Sequence, residues 1–253
     1  MISDRNTMLG ELIRIVSERL SGKEVTSEEE IKRIALRSML QYFGAKSAGF
    51  DHNQLLNQIV ESLCDEPISI HSLHYSEVIE IGEMKFRHIH TCKPTKESLE
   101  LAYNELKKSA SFLDSLNVMK DVTDNFFKGY TTEDGLIKLY THEKYKYGVY
   151  YSIIDDVGED IKIHKDIAKN FDGEYVIVVP TEEELTPFLR FFARYSEDVK
   201  MAGFKIWVVD PIKRSIDPFI GYPKDFRLIS RFKNPKLATI INSLWRVKVE
   251  NID

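Results

Sequence analysis

Seven cations, Lys224, Arg227, Arg231, Lys233, Lys236, Arg246 and Lys248, stand against the single acid Asp225 between positions 224 and 248. The stretch therefore carries +6 in a chain whose net charge is −5, and Phe226, Phe232 and Trp245 are interleaved with its cations. Lys and Arg neutralise phosphates and exposed rings stack on bases, so this composition suits DNA or RNA. Lys224, Arg227, Arg231, Lys233 and Lys236 would hold phosphates, and Phe226 or Phe232 would stack if exposed. The same cations also suit an acidic protein partner, which ranks behind nucleic acid. A third reading is a solvated face whose rings are core, since Trp245 continues an apolar stripe through Ile241 and Leu244. Arg190 and Arg194, one helical turn apart, would extend the patch if their helix lies alongside.

Two further groups have the right atoms for metal chemistry. Glu133, Asp134, Glu143, Asp155 and Asp156 surround one pair of expected strands. If Asp134, Glu143 and Asp155 converge, they could hold Mg²⁺ for phosphodiester hydrolysis. The plainer reading makes Asp155-Asp156 a strand-ending turn. In His88-Ile89-His90-Thr91-Cys92, residues two apart would share a strand face, so His88, His90 and Cys92 point one way. With His71, His74 and Cys64 they could complete a tetrahedral zinc site. Met84 and Phe86 share that face, however, which favours semi-buried imidazoles with Cys92 as a small apolar filler. The chain lacks Gly-x-Gly-x-x-Gly, the phosphate-cradling Gly-x-x-x-x-Gly-Lys-[Ser/Thr], Gly-x-Ser-x-Gly and His-Glu-x-x-His. A binding role without cofactor is expected ahead of catalysis.

Placing these residues requires the elements that carry them. A chain of 253 residues with 43% hydrophobic content is long enough for two ordinary domains. No basic segment followed by an apolar core opens the sequence, and Tyr175–Pro180 and Ile206–Val209 fall far short of the ~20 residues that span a bilayer. With two cysteines, Cys64 and Cys92, a cytoplasmic protein without membrane contact is expected.

The first part is helical. Met8, Leu9, Leu12, Ile13, Ile15, Val16 and Leu20 recur at helical spacing and stop at Gly22. Ser27-Glu28-Glu29-Glu30 reads as a capping box ahead of Ile31, Ile34, Ala35, Met39 and Leu40. Leu55, Leu56, Ile59, Val60 and Leu63 form a third face. Val78–Ile81 and Met84–Cys92 around Gly82-Glu83 predict a hairpin. Thr95 caps a helix to about Leu116, a second stretch over Val118–Lys128 continues or kinks from it, and Thr131–Gly135 reads as a turn.

The last part alternates. Strands are predicted at Leu136–Tyr140 and Gly148–Ile154, a helix at Ile161–Phe171 and a buried strand at Tyr175–Val179. The next helix starts at Thr181 or at Thr186-Pro187 and ends at Gly203. Phe204–Asp210 is a further strand, a short one lies near Pro218–Tyr222, and Asn234-Pro235 opens a last helix. Asp210-Pro211 and the Asp217–Pro223 segment sit where α/β folds place ligands, although Phe219 and Tyr222 would also pack well on a sheet. The expectation is an α+β protein with a helical, hairpin-bearing domain at 1–93, a helical connector at 94–130 and an α/β domain at 131–253.

Three helices followed by a hairpin resemble the element order of a winged helix. That resemblance implies DNA contact by Asn53, Gln54 and Asn57 on the third helix, which holds no Lys or Arg. The order helix, strands, helix, strand, helix, strand over 131–253 resembles restriction-endonuclease-like folds, in which an Asp and a Glu-x-Lys strand bind metal and activate water. Here Glu143-Lys144-Tyr145-Lys146 puts the lysine one residue too far and on the wrong strand face. A degenerate nuclease-like core is implied, and no catalytic residue carries over. Non-catalytic, nucleic-acid-associated binding or regulation is the expectation. A metal-dependent phosphodiesterase and a protein–protein adaptor are the alternatives.

Overall fold

Leu12, Ile13, Ile15, Val16 and Leu20 are all buried on one side of α1 (Ile2–Leu20), as their spacing requires. The computed structural model describes residues 2–49, 51–64, 79–81, 84–88, 94–182 and 184–244. Gly22, at φ 86°, turns the chain out of the helix, and the Lys23 N–H bonds the Leu20 carbonyl at 3.1 Å. There follows β1 (Val25–Ser27), too short for any periodic signal, and then α2 (Glu28–Phe43). The Ser27 hydroxyl accepts from the Glu30 N–H at 3.1 Å, which is half of the predicted capping box. Glu30 itself is buried, accepting from the Thr26 hydroxyl at 2.9 Å and from Lys23 at 2.6 Å.

α3 (Asn53–Cys64) buries Leu55, Ile59, Val60, Leu63 and Cys64, and α1, α2 and α3 pack pairwise. β2 (Ile79–Ile81) and β3 (Met84–His88) form the predicted hairpin. β3 also pairs antiparallel with β1, Val25 opposite His88, so the sheet order is β1-β3-β2. The first half of α4 (Lys96–Phe126) completes this unit, with Leu99, Ala102 and Leu106 packed on Val25. Thr95 caps it by accepting from the Ser98 N–H at 3.1 Å. Residues 1–43 and 51–113 make up this first unit, and residues 44–50 and 114–253 the second. The helical stretches expected on either side of position 117 are continuous. No Gly or Pro interrupts 96–128, so α4 runs for 31 residues.

The second unit is built on a six-stranded mixed sheet, ordered β4-β5-β6-β7-β8-β9. β4 (Thr131–Glu133), β5 (Lys138–His142) and β6 (Tyr145–Tyr151) form an antiparallel meander. β7 (Glu174–Pro180) runs parallel to β6, β8 (Lys205–Asp210) parallel to β7, and β9 (Ser215–Ile220) antiparallel to β8. The crossovers are α5 (Ile154–Glu159) with α6 (Ile161–Asn170), and α7 (Thr186–Ala202); α8 (Leu237–Leu244) follows a 3-10 turn at Phe226–Arg231.

The second half of α4 covers one sheet face. There Phe126 and Phe127 meet Trp207 with ring centroids at 5.2 and 6.0 Å, and Phe127 stacks on Tyr140 at 4.2 Å. On the other face Phe188 and Phe192 pack on Phe219 at 5.3 and 5.8 Å, and His164 bonds the buried Tyr175 hydroxyl at 3.0 Å.

Several boundaries move. The turn predicted at 131–135 begins with β4, whose three exposed residues gave no alternation to read. The strand predicted at 148–154 is β6 at 145–151, and Asp155-Asp156 fall in the first turn of α5. α7 begins at Thr186 with Pro187 in its first turn, which settles the choice between the two starts. Among the described residues, no helix is long and apolar enough to cross a membrane.

Candidate nucleic-acid interface

The basic segment divides into residues that hold the fold and residues that face solvent. Asp225 is buried, and its backbone N–H bonds the Tyr147 hydroxyl at 3.0 Å. Its carboxylate takes the Arg227 Nε and Nη2 at 2.9 Å each, the Arg227 backbone N–H at 3.1 Å, and the Tyr130 hydroxyl. Arg227 also lies 5.8 Å from the centre of the Tyr145 ring and 3.8 Å from Glu143. Arg231 donates to the carbonyls of Phe126 and Lys128 at 2.7 and 2.9 Å, closing the C-terminus of α4 with a cation.

Phe232 does not meet the condition for stacking. It is only 4% exposed, with Phe126 and Trp207 at 4.7 and 5.2 Å. Phe226 does meet it, at 79% exposed. Lys224, Lys233 and Lys236 are exposed and make no ion pair among the described residues. Arg190 and Arg194 are exposed on α7. Trp245, Arg246 and Lys248 lie outside the described residues.

Arg227 holds the Asp225 carboxyl down at about 2; burial opposes this and the Tyr130 hydroxyl assists. The unfolded value lies near 3.9, above the folded one, so the stabilisation is complete above about pH 4 and is lost as pH falls towards about 2. Because Arg227 is half-exposed, screening leaves this contribution at about 1 kcal/mol. Denaturation midpoints of the native chain and Asp225→Asn, measured from pH 6 to pH 2, should therefore converge as the acid limit is approached.

The three candidate catalytic carboxylates do not converge. β5 and β6 pair from Lys138 opposite Val149 to His142 opposite Tyr145, and Glu143 stands in the turn beyond, at φ 52°. Asp155 follows the other end of β6, about 23 Å away along a seven-residue strand. That separation removes Glu143 from any site shared with Asp155. Asp134 instead bonds Lys138 at 2.9 Å, and Lys138 also takes Asp124 at 2.8 Å.

The Tyr140 hydroxyl donates to Asp124 at 2.6 Å. The bond from Lys138 keeps Asp134 below the usual carboxylate range. Burial alone would lower Lys138, but its two carboxylate partners outweigh it and raise the ammonium. Burial, reinforced by Lys138, lowers nearby Lys120, and burial pushes Tyr151 up to about 12. The sequence reading missed Asp124 and Lys138, whose partnership spans fourteen residues.

Of the zinc candidates, Cys64 is buried on α3. His88 ends β3, its side chain outside the described residues, and His71, His74, His90 and Cys92 lie outside them altogether. Among the described residues, no three His, Cys, Asp or Glu side chains stand together as metal ligands.

On α3, Asn53, Gln54, Asn57 and Glu61 are exposed and Gln58 is half-buried, on the side away from the apolar stripe. The i, i+4 spacing of Asn53 with Asn57, and of Gln54 with Gln58, places four amides on one helix face. Asp210 lines an apolar cavity of about 590 Å³ bounded by Phe188, Phe192, Phe219 and Leu237.

Two family models match the chain. Residues 11–103 match one described as domain of unknown function (DUF6846). Residues 105–234, just over half of the chain, match one described as domain of unknown function (DUF6834), C-terminal domain. No curated protein matches.

Proposed function

The chain belongs to the family described as domain of unknown function (DUF6834), C-terminal domain, and we propose that its work is non-catalytic binding of duplex DNA in a regulatory role. The observation that carries this reading is the order α1-β1-α2-α3-β2-β3 with sheet order β1-β3-β2, which resembles a winged helix. In that arrangement α3 is the helix offered to the major groove, and Asn53, Gln54 and Asn57 are the side chains that would reach base edges. Asn and Gln amides pair bidentately with adenine. On the second unit, taken by itself, the exposed Lys233 and Lys236 offer phosphate contacts that would position a polynucleotide without reading it.

The second unit supports a binder over a hydrolase. Its order, α4, then β4-β5-β6 antiparallel, then α5 and α6, then β7 parallel to β6, resembles a restriction-endonuclease-like core. The resemblance implies metal-binding carboxylates on the central strands. β6 reads Tyr-Lys-Tyr-Gly-Val-Tyr-Tyr and carries no carboxylate, Glu174 at the start of β7 is engaged by Lys205, and Asp134 by Lys138.

Anisotropy titrations of duplex DNA across a salt series, with and without Mg²⁺, test the proposal. Affinity should fall steeply with salt. Asn57→Ala or Gln54→Ala should weaken binding by about 1–3 kcal/mol on a preferred sequence. Reversing Lys233 and Lys236 to Glu should lower the salt slope by about 2. Absence of duplex binding at low salt overturns the reading and leaves a protein–protein adaptor in its place. Mg²⁺-dependent cleavage replaces it with a phosphodiesterase.

A further inference from the structure

We infer that the second unit carries a separate platform for single-stranded nucleic acid, at the sheet end where β6, β7 and β8 begin. The inference rests on a polynucleotide being the ligand, and it adds a site away from α3 with a different strand preference. Four segments meet at this end. Glu143-Lys144 turns from β5 into β6, which opens with Tyr145-Lys146; Asp172 and Glu174 lead into β7; Lys205 opens β8; and the chain leaving β9 returns through Lys224, Asp225, Phe226 and Arg227. Their contacts fix this meeting: Lys205 bonds Glu174 at 2.9 Å, Glu174 accepts the Lys224 N–H at 3.0 Å, and Arg227 lies over Tyr145.

The ionic groups divide by depth. Glu174, Lys205 and Asp225 are buried and compensated within the fold. At the surface stand Lys144, Lys146, Lys224 and Arg227, opposed by Glu143 and Asp172. Arg227 also answers the buried Asp225, so Lys144, Lys146 and Lys224 against Glu143 and Asp172 leave this end one positive charge in excess, on a chain that is negative overall.

The rings decide what kind of polyanion fits. Phe226 is 79% exposed. The Tyr145 ring is half-buried between Lys144 and Arg227, which lie 5.4 and 5.8 Å from its centre. Arg227 is locked to Asp225 along one edge of its guanidinium, so its plane is preset. A flat exposed ring beside fixed cations is the device by which proteins hold unpaired bases: the ring takes the face of a base and the cations take the backbone. Paired bases inside a duplex offer no free face, so the arrangement favours a single strand.

The test is anisotropy of labelled oligothymidylate and oligouridylate on the full chain, with a hairpin duplex as competitor. Phe226→Ala removes only an exposed ring and should weaken single-strand binding about fivefold or more. Lys144→Glu with Lys224→Glu should weaken it further and flatten the salt dependence, by about 0.7 in slope for each phosphate no longer neutralised. Circular dichroism should show all three substitutions leaving the fold intact. Binding of either oligomer that depends on Phe226 and the two lysines upholds the site. No binding at low salt, binding unaffected by these variants, or a duplex that competes on equal terms overturns it. Asn57→Ala should leave single-strand binding unchanged. Loss of duplex binding with retained, Phe226-dependent single-strand binding would therefore strike the α3 reading and not this one.

Discussion

Replacing Trp207 by alanine is expected to destabilise the second unit by about 3–5 kcal/mol, the range for deleting a large aromatic from a packed core. Trp207 is fully buried on β8, with Phe126, Phe127 and Phe232 at 5.2, 6.0 and 5.2 Å, and its indole N–H donates to the Gly221 carbonyl at 3.1 Å. Three rings from two other segments close on this one side chain, and its removal opens a cavity among them. Trp207→Phe keeps most of the apolar volume and should cost about half as much, with the lost hydrogen bond accounting for about 1 kcal/mol. Urea midpoints at unchanged slope measure both. A Trp207→Ala loss below about 1 kcal/mol would mean that the ring cluster is not the centre of this core.

Glu105→Ala should cost the first unit about 3 kcal/mol. Arg33 on α2 is only 3% exposed; its guanidinium meets the Glu105 carboxylate, and its Nε donates to the Ser109 hydroxyl at 2.9 Å. Removing the carboxylate takes one ionic partner from a buried cation, which costs about 3–5 kcal/mol for a fully buried pair. The partial exposure of Glu105 places this case at the low end. Glu105→Gln retains an acceptor and should cost clearly less. The double variant Arg33→Met with Glu105→Leu should recover much of the loss, because an apolar pair of similar volume escapes desolvation altogether. If the double variant is no better than Glu105→Ala, Arg33 is held by its other contacts and not by this charge.

The parts of the fold legible in the sequence are those with local causes. The stripes of α1, α2 and α3, the Thr95 cap, the antiparallel pairing of β2 with β3 and the uninterrupted apolar run of β7 each depend on neighbours within a few residues. Illegible were the features that depend on distant partners. β1 exists because β3 pairs with it from some sixty residues away. Residues 44–50 belong to the second unit because Ile137 exchanges backbone bonds with Ser47 and Gly49. The candidate site divides in the same way. The excess of cations was visible as composition, and so were the amides of α3. Which cations are consumed internally was not, since Arg227 answers to Asp225 and Tyr130, and Arg231 to the end of α4. Phe226 and Phe232 differ by six positions and have opposite fates because only Phe232 falls opposite Trp207 and Phe126.

The unbroken run of α4 has a consequence for how this chain can be inherited or dissected. Residues 96–113 of the helix belong to the first unit and the rest to the second. A cut at Asn104 would put Ala102 on one fragment and Leu106 on the other, although both share a small core with Val25. Each piece would then end in a frayed half-helix presenting an apolar stripe to water. Recombination that exchanges one half for another must cross over before Thr95 or after Gly129, and either choice moves the whole helix with one partner. The two halves are thus spliced by shared secondary structure, and whichever inherits α4 takes part of its neighbour's core with it.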